Sequence, residues 1–313
     1  MITVLTGGTG GAKFVQGLAR VVAPRELTLI VNTGDDFTCW NLHISPDLDS
    51  VTYALAGMLS RERGWGVEGD TFECLTAMER LGAPAWFRLG DRDLALHITR
   101  TGMLQAGATL SEVTRAIAGR MGVQQRVLPM SDQRVETRLT TPLGELAFQE
   151  YFVRERYRPD VSAVRFEGAE AARPAPGVLE AIGGADAVLI APSNPVTSIG
   201  PILAVPGIRH ALRQTAAPVV AVSPIVGGAA VSGPAAELMR SQGLPASIAG
   251  VAQAYGDFLD VLLADLRDEA AASEIVPAGV QVHFAPTIMT TDADKVALAE
   301  EALRAAGVGT AAR

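Results

Sequence analysis

Cysteine is nearly absent. The chain has 313 residues and 2 cysteines, Cys39 and Cys74, and their spacing matches no metal-binding motif. One disulfide between them stays open, but the expectation is a reduced, cytoplasmic protein. Histidine is scarce as well. The 4 histidines form no His-x-x-x-His pair, so a catalytic metal needs oxygen ligands, which suits magnesium. Positive charge is also lacking. The net charge is -8 and the sequence pI is about 5.1. No basic stripe marks a nucleic-acid partner, although a phosphate site can be locally basic inside an acidic protein. No basic segment precedes an apolar one at the N-terminus, so no signal peptide is expected. No apolar run is long enough for a bilayer, so no membrane partner is expected either. Repeats, low-complexity tracts and clean linkers are missing, and 48% hydrophobic content is ample for one large α/β domain over 1–313.

Glycine is concentrated where the chain begins. Ile2 to Leu5 form an apolar run that passes through Gly7, Gly8, Thr9, Gly10 and Gly11 to Lys13 and then into the amphipathic Phe14 to Arg20. That pattern predicts a buried strand, a tight turn and a helix. A βα turn with no ligand is the simplest account. This much glycine directly after a strand favours a phosphate cradle, because a helix start offers free N–H groups and a positive dipole end. The loop departs from the dinucleotide fingerprint, since Lys13 stands where the last glycine belongs. It is not a P-loop either, because no Gly-Lys-Ser/Thr follows. The expectation is nucleotide phosphates, with Lys13 near them.

Further along, Leu27 to Val31 predicts a second strand ending in Asn32-Thr33-Gly34-Asp35-Asp36. Asn32 and Asp36 are candidates for the nucleotide, and Asp35 beside them is as much a ligand candidate as a turn residue, since Gly-Asp is also ordinary turn chemistry. Pro46-Asp47-Leu48-Asp49 opens a helical pattern. Either aspartate can cap that helix, and the pair can instead hold magnesium or accept a proton. Asp70 to Leu81 predicts a helix. Arg88-Leu89-Gly90-Asp91-Arg92-Asp93 follows, where Arg88 and Arg92 can grip phosphates or form an ion-paired loop. His97 reads as a packed helix residue, and Met103 to Met121 as further helix. Val135 to Thr141 and Glu145 to Val153 flank Pro142-Leu143-Gly144, a hairpin signature. An inserted lobe is therefore expected at about 135–173. Arg154, Glu155, Arg156 and Arg158 read as solvated surface. Ala187 to Ala191 and Val219 to Val222 predict buried strands, each followed by a loop of hydroxyls and prolines. Such loops lie where open α/β sheets bind ligands. They make Ser193, Asn194, Ser223 and Gly227 candidates. Val280 to Phe284 predicts a last strand and Asp292 to Ala305 a last helix.

With those stretches in view, the sequence resembles the 2-phospho-L-lactate transferase (CofD/FbiA) family of deazaflavin coenzyme F(420) biosynthesis. The matching segments are TGGTGGAKF at 6–14, VNTGDD at 31–36, NLHISPDLDSV at 41–51, WGVEGDTF at 65–72, RLGDRDLALHI at 88–98, LPMSD at 128–132, APSNPVTSIGPIL at 191–203 and VSPIVGGAAVSGPAAELM at 222–239. The resemblance implies a doubly wound Rossmann-like parallel sheet with an inserted helical and β-hairpin lobe. It implies transfer of a phospholactyl-type group from a guanosine-diphosphate-activated acid to the deazariboflavin Fo, with release of GMP, magnesium as cofactor and a homodimer. It places Asp49 and the 88–92 region, hence Arg88, Asp91 and Arg92, toward the deazaflavin, and His97 is added to that group. Asp47, Asp49 and Arg92 become the catalytic candidates, Asp47 and Asp49 the metal candidates. Two other functions share parts of the pattern. A nucleotide-sugar-binding regulator of the same fold shares several motifs. An NAD(P)-dependent oxidoreductase accounts for the glycine turn, but no Tyr-x-x-x-Lys pair accompanies it.

Overall fold

Seven short apolar runs make the central sheet. In the computed structural model, which describes residues 1–274 and 279–309, their spatial order is Gln281–Ala285, Val261–Asp265, Val219–Val222, Ala187–Ile190, Ile2–Thr6, Leu27–Val31 and Arg126–Pro129. Every pairing is parallel. Parallel strands are joined by crossovers that cover both faces, and side-chain alternation assigns each residue to one face. Val4, Leu29, Val31, Leu189, Val220 and Leu263 enter one core, with Phe14 and Leu18 of the Gly8–Val21 helix and Leu298 and Ala302 of the Asp292–Ala305 helix. Their neighbours Leu5, Ile30, Val188, Ile190, Ala221 and Leu262 enter the core on the other face. The result is the expected doubly wound α/β fold.

The first strand sits inside the sheet, not at its edge. From Ile2–Thr6 the chain builds outward through Leu27–Val31 to Arg126–Pro129, then returns to lay Ala187–Ile190 on the other side. The strand order therefore reverses between Ile2–Thr6 and Ala187–Ile190. Loops leaving two such strands diverge and open a crevice at the carboxyl ends.

Several elements differ from the sequence reading. The first helix begins at Gly8, inside the glycine run. The Met103–Met121 stretch is two helices, Asp91–Gln105 and Leu110–Arg120. Gly107 breaks them with φ 93°, and Thr109 with Glu112 caps the second in a reciprocal box. The hairpin strands are Glu136–Thr141 and Gly144–Ala147, completed by Ala163–Glu167 in an antiparallel sheet. Its second strand stops early, because the chain coils into a wide turn at Glu150–Arg154. A strand at Val261–Asp265 and a hairpin of Phe37–Cys39 with Leu42–Ile44 were not expected. Both are too short to show a clear period. Cys39 and Cys74 are free thiols. No described helix is long and apolar enough to cross a membrane.

Candidate active site

A cavity of about 660 Å³ fills the crevice, within the size range of small-molecule sites. Part of its lining is Gly7 to Gly10 with Lys13, where the first strand passes into the first helix. Gly8 takes φ 69°, a conformation that glycine adopts without penalty. A Cβ on Gly11 would collide with Thr6 Oγ1 and lie 2.8 Å from Ser193 Oγ, so the turn must lie flat on the strand beneath it. Ser193 locks the two switch-point loops together. Its hydroxyl donates to the Gly7 carbonyl at 2.7 Å, and the Gly7 N–H approaches Ser193 Oγ at 3.4 Å. Asn194 accepts from the Val196 N–H at 2.9 Å and shapes its own loop. Ser223 closes the next one, accepting from the Ile225 N–H at 3.1 Å.

Four buried carboxylates, Asp35, Asp47, Asp49 and Asp93, lie under the cavity. Neither Asp47 nor Asp49 is the helix cap; Ser45 holds that position. Asp47 Oδ2 accepts from Asn32 Nδ2 at 2.9 Å. Burial pushes the Asp47 carboxyl up to about 6, against the bonds from Asn32 and the Gly8 N–H. Burial and the charges of Asp47 and Asp36 hold Asp35 well above the usual carboxylate range. Asp35 Oδ1 has no hydrogen-bond partner among the described residues.

Asp49 has a different environment. The Arg100 guanidinium spans both its oxygens, with Nη1 3.1 Å from Oδ2 and Nη2 in contact with Oδ1. Arg100 Nη1 also lies 3.4 Å from His97 Nδ1. His97 Nε2 lies 3.2 Å from Asp93 Oδ1, off the line of a good hydrogen bond, and Tyr53 donates to the same oxygen at 2.5 Å. Burial raises the Asp93 carboxyl, but His97 and Tyr53 together hold it below the usual value. Asp93, His97 and Arg100 share one face of the Asp91–Gln105 helix, and Asp49 and Tyr53 share one face of Pro46–Leu55. Asp49, Asp93 and His97 bring ligand atoms within 4.8 Å of one another. Arg100 and Tyr53 already occupy that cluster, and the imidazole is a poor magnesium ligand.

A further part of the lining is aromatic and cationic. Trp65, Trp86, Phe87, Phe148 and Phe152 line it with Arg63, Arg88 and Arg156. Arg88 stacks over Phe72 at 4.5 Å. Arg63 lies over Trp65 at 5.5 Å and over Phe72 at 5.4 Å.

The structure thus gathers Gly7, Gly8, Thr9, Gly10, Lys13, Asp47, Asp49, Arg88, His97, Ser193, Asn194 and Ser223 around one cavity. Six sequence candidates stand outside its lining. Gly11 is packed behind the turn. Asn32 braces Asp47 and accepts from the Gly34 N–H at 2.8 Å. Asp36 ties the hairpin by accepting from Ser45 Oγ at 2.6 Å, with His43 Nε2 at 3.0 Å. Gly227 donates to Asp268 at 2.9 Å. Asp91 caps the Glu73–Arg80 helix, accepting from Thr71 Oγ1 and the Glu73 and Cys74 N–H groups. Arg92 lines a separate hollow with Met58, Leu96 and Arg120. Its helix turns Asp91 and Arg92 away while Asp93 faces inward. Asp35, weighed with Asp36 as a ligand residue or a plain turn, does line the cavity, whereas Arg100, Tyr53 and Arg156 were missed. For Arg100 a signal existed: Asp93, His97 and Arg100 recur at helical spacing.

Comparison with known proteins gives the family and the fold. The family model "2-phospho-L-lactate transferase CofD" matches residues 2–298. A phosphoenolpyruvate transferase of Streptomyces griseus is 46% identical over 311 residues, covering 97% of this chain and 98% of the relative. A 2-phospho-L-lactate transferase of Methanosarcina mazei is 42% identical over 302 residues, covering 96% and 99%. Among solved structures, a upf0052 family protein of Bacillus halodurans superposes with a TM-score of 0.62 at 18% identity, covering 96% of this chain and 98% of its own. That likeness concerns the fold.

Proposed function

This chain belongs to the 2-phospho-L-lactate transferase CofD family of transferases, and from that premise we propose the reaction it runs. A guanosine-diphosphate-linked acid (lactyl, enolpyruvyl or related) is the donor and deazariboflavin Fo the acceptor, in coenzyme F(420) biosynthesis. The observation that carries this reading is the shape of the cavity. A helix-terminal glycine segment with Lys13 and a set of tryptophans and phenylalanines line the same cavity. Phosphates fit the first and a flat tricyclic ring the second.

In this reading the terminal ribityl hydroxyl attacks the outer phosphorus. The new O–P bond forms as the bond to the GMP oxygen breaks, GMP leaves with the electron pair, and the hydroxyl proton passes to the leaving phosphate and on to solvent. Phosphoryl transfer asks for charge neutralisation and in-line positioning more than covalent help. The Gly7–Gly10 N–H groups and Lys13 neutralise the diphosphate. Asp49, its charge matched by Arg100, accepts the hydrogen bond of the attacking hydroxyl and orients it. Arg88 and the aromatic wall hold the deazaflavin. Asp47 and Asp35 fit magnesium, because Asp35 Oδ1 is buried without a partner among the described residues and both carboxyls are destabilised by burial and by neighbouring carboxylates. Bound there, the cation supplies positive charge to the phosphate oxygens.

The test is transfer itself. Pure protein, Fo and magnesium are incubated with separate lactyl, enolpyruvyl and glyceryl donors, and coupled deazaflavin and GMP are followed by chromatography. Equal amounts of both products are expected. The enolpyruvyl donor is expected to lead, in line with the streptomycete relatives. Tight binding of a donor with no product would favour the regulator reading. The same reading includes a homodimer in the cytoplasm, and light scattering checks the dimer.

A further inference from the structure

Between Glu150 and Arg158 lie three arginines with three different fates. Arg154 pairs with Glu150 at 2.8 Å and Glu155 at 2.9 Å. Arg158 donates to the Glu155 carbonyl at 3.3 Å. Arg156 lines the cavity and has no carboxylate partner among the described residues. Its backbone sits at φ 53°, and Tyr157 follows at φ 44°. Two consecutive non-glycine residues in the left-handed region are uncommon, and such conformations persist only where surrounding contacts enforce them. Here the Tyr157 N–H donates to the Tyr151 carbonyl at 2.9 Å. The Tyr157 ring stacks on Phe152 at 5.7 Å, and Phe152 on Phe148 at 5.5 Å. Tyr151, beneath, is buried. The fold holds a disfavoured turn in place, and that turn carries a guanidinium to the cavity.

The position of the turn says which anion it meets. Phe152 packs beside Gly233, and Arg154 lies 5.9 Å from the Trp86 ring. The 148–157 segment therefore bridges the aromatic wall and the loop that follows the Val219–Val222 strand. All four carboxylates of the cavity are buried, whereas Arg156 is exposed at the rim. The other arginines of the wall are already engaged: Arg63 donates to the Val67 carbonyl at 2.7 Å, and Arg88 covers Phe72. In the donor reading above, the glycine segment and Lys13 are assigned to the diphosphate. We propose that Arg156 is a specificity residue that grips the carboxylate of the donor's acid. This rests on the donor reading above. A guanidinium fork matches a carboxylate in two parallel bonds.

The experiment compares wild type with Arg156→Gln and Arg156→Lys on two donors. One carries the acid, and the other replaces its carboxylate by a methyl group. The ratio of kcat/KM between the two donors is the readout, with thermal melts confirming that the variants fold. Wild type is expected to prefer the acid donor by roughly 10- to 100-fold, the value of charge-assisted bonding. Arg156→Gln is expected to bring the ratio close to one, with most of the change in KM, and Arg156→Lys to fall between. An equal loss on both donors assigns Arg156 to phosphate or to structure and overturns the proposal. An unchanged ratio also overturns it while the transferase reading stands. If wild type transfers from neither donor, the transferase reading itself falls and the proposal falls with it.

Discussion

Arg100 holds both carboxylate oxygens of Asp49, a residue 51 positions earlier in the chain. The pair is buried, with side-chain exposures of 4% and 6%. Two helices meet through it, and it sets the orientation of the carboxylate assigned above to the attacking hydroxyl. A buried pair is weak evidence for net stability, but removing one partner strands a charge.

Asp49→Asn and Arg100→Met should each cost about 3–5 kcal/mol of stability. The double variant should cost clearly less than the sum, because no charge is left stranded. Urea unfolding of the four proteins checks this. Asp49→Asn should also lower kcat more than it raises donor KM, since it removes orientation at the reacting atom. Additive losses would mean that the two residues act independently.

The pH dependence of stability should carry the signature of Asp47. Its folded carboxyl titrates near 6 against an ordinary value of 3.8. Between those values the native state binds the extra proton, so stability falls as pH rises from about 4 to about 6 and then levels off. Asp47→Asn removes that loss. The variant should melt near wild type at pH 4 and above it at pH 8, by on the order of 2–3 kcal/mol in the absence of divalent cations. It should lose transfer activity all the same. Identical melting profiles for the two proteins would contradict the assignment.

Arg92 should be dispensable for chemistry. It lies in the Met58 and Leu96 hollow, outside the main cavity. Steady-state kinetics of Arg92→Lys and Arg92→Gln should match wild type within about twofold, with stability changes of about 1 kcal/mol or less. A large drop in kcat/KM in both folded variants would return Arg92 to the site.

GDP with magnesium should raise the melting temperature, whereas NADPH should not. A ligand that binds only the native state stabilises it by mass action, about 2.7 kcal/mol at one hundred times Kd. Lys13 opens on the cavity where a dinucleotide fold keeps glycine, and Asn32 is committed to Asp47. A shift with NADPH alone would support the oxidoreductase alternative.

Strand–turn–helix order was legible because it is local. Period-2 and continuous apolar runs mark strands whose burial is settled within a few residues, and glycine after Leu5 can mean little else than a tight turn. The seven-strand order was not local information, yet the parallel fold followed from the alternation of strands and helices. Elements without a period were lost: the Val261–Asp265 strand and the Phe37–Cys39 hairpin are short, and their burial comes from neighbours distant in sequence.

The site divided along the same line. Residues on the loops after Ile2–Thr6, Ala187–Ile190 and Val219–Val222 could be named from sequence, since a loop at a strand's carboxyl end faces the crevice by topology. Which side of a helix faces that crevice could not. Asp91, Arg92 and Asp93 are adjacent letters, but a helix turns about 100° per residue. Tertiary packing alone sends Asp93 under the cavity, Arg92 into a second hollow and Asp91 to the cap of another helix. The same holds for Arg156. Its charge suggests solvent, and only a left-handed turn pinned by aromatic stacking brings it to the cavity rim. The sequence by itself determined the fold and the glycine-rich passage from the first strand into the first helix, because apolar periodicity and glycine act on neighbouring residues. The tertiary structure decided the partners of each charge, because burial and pairing depend on what packs across from them.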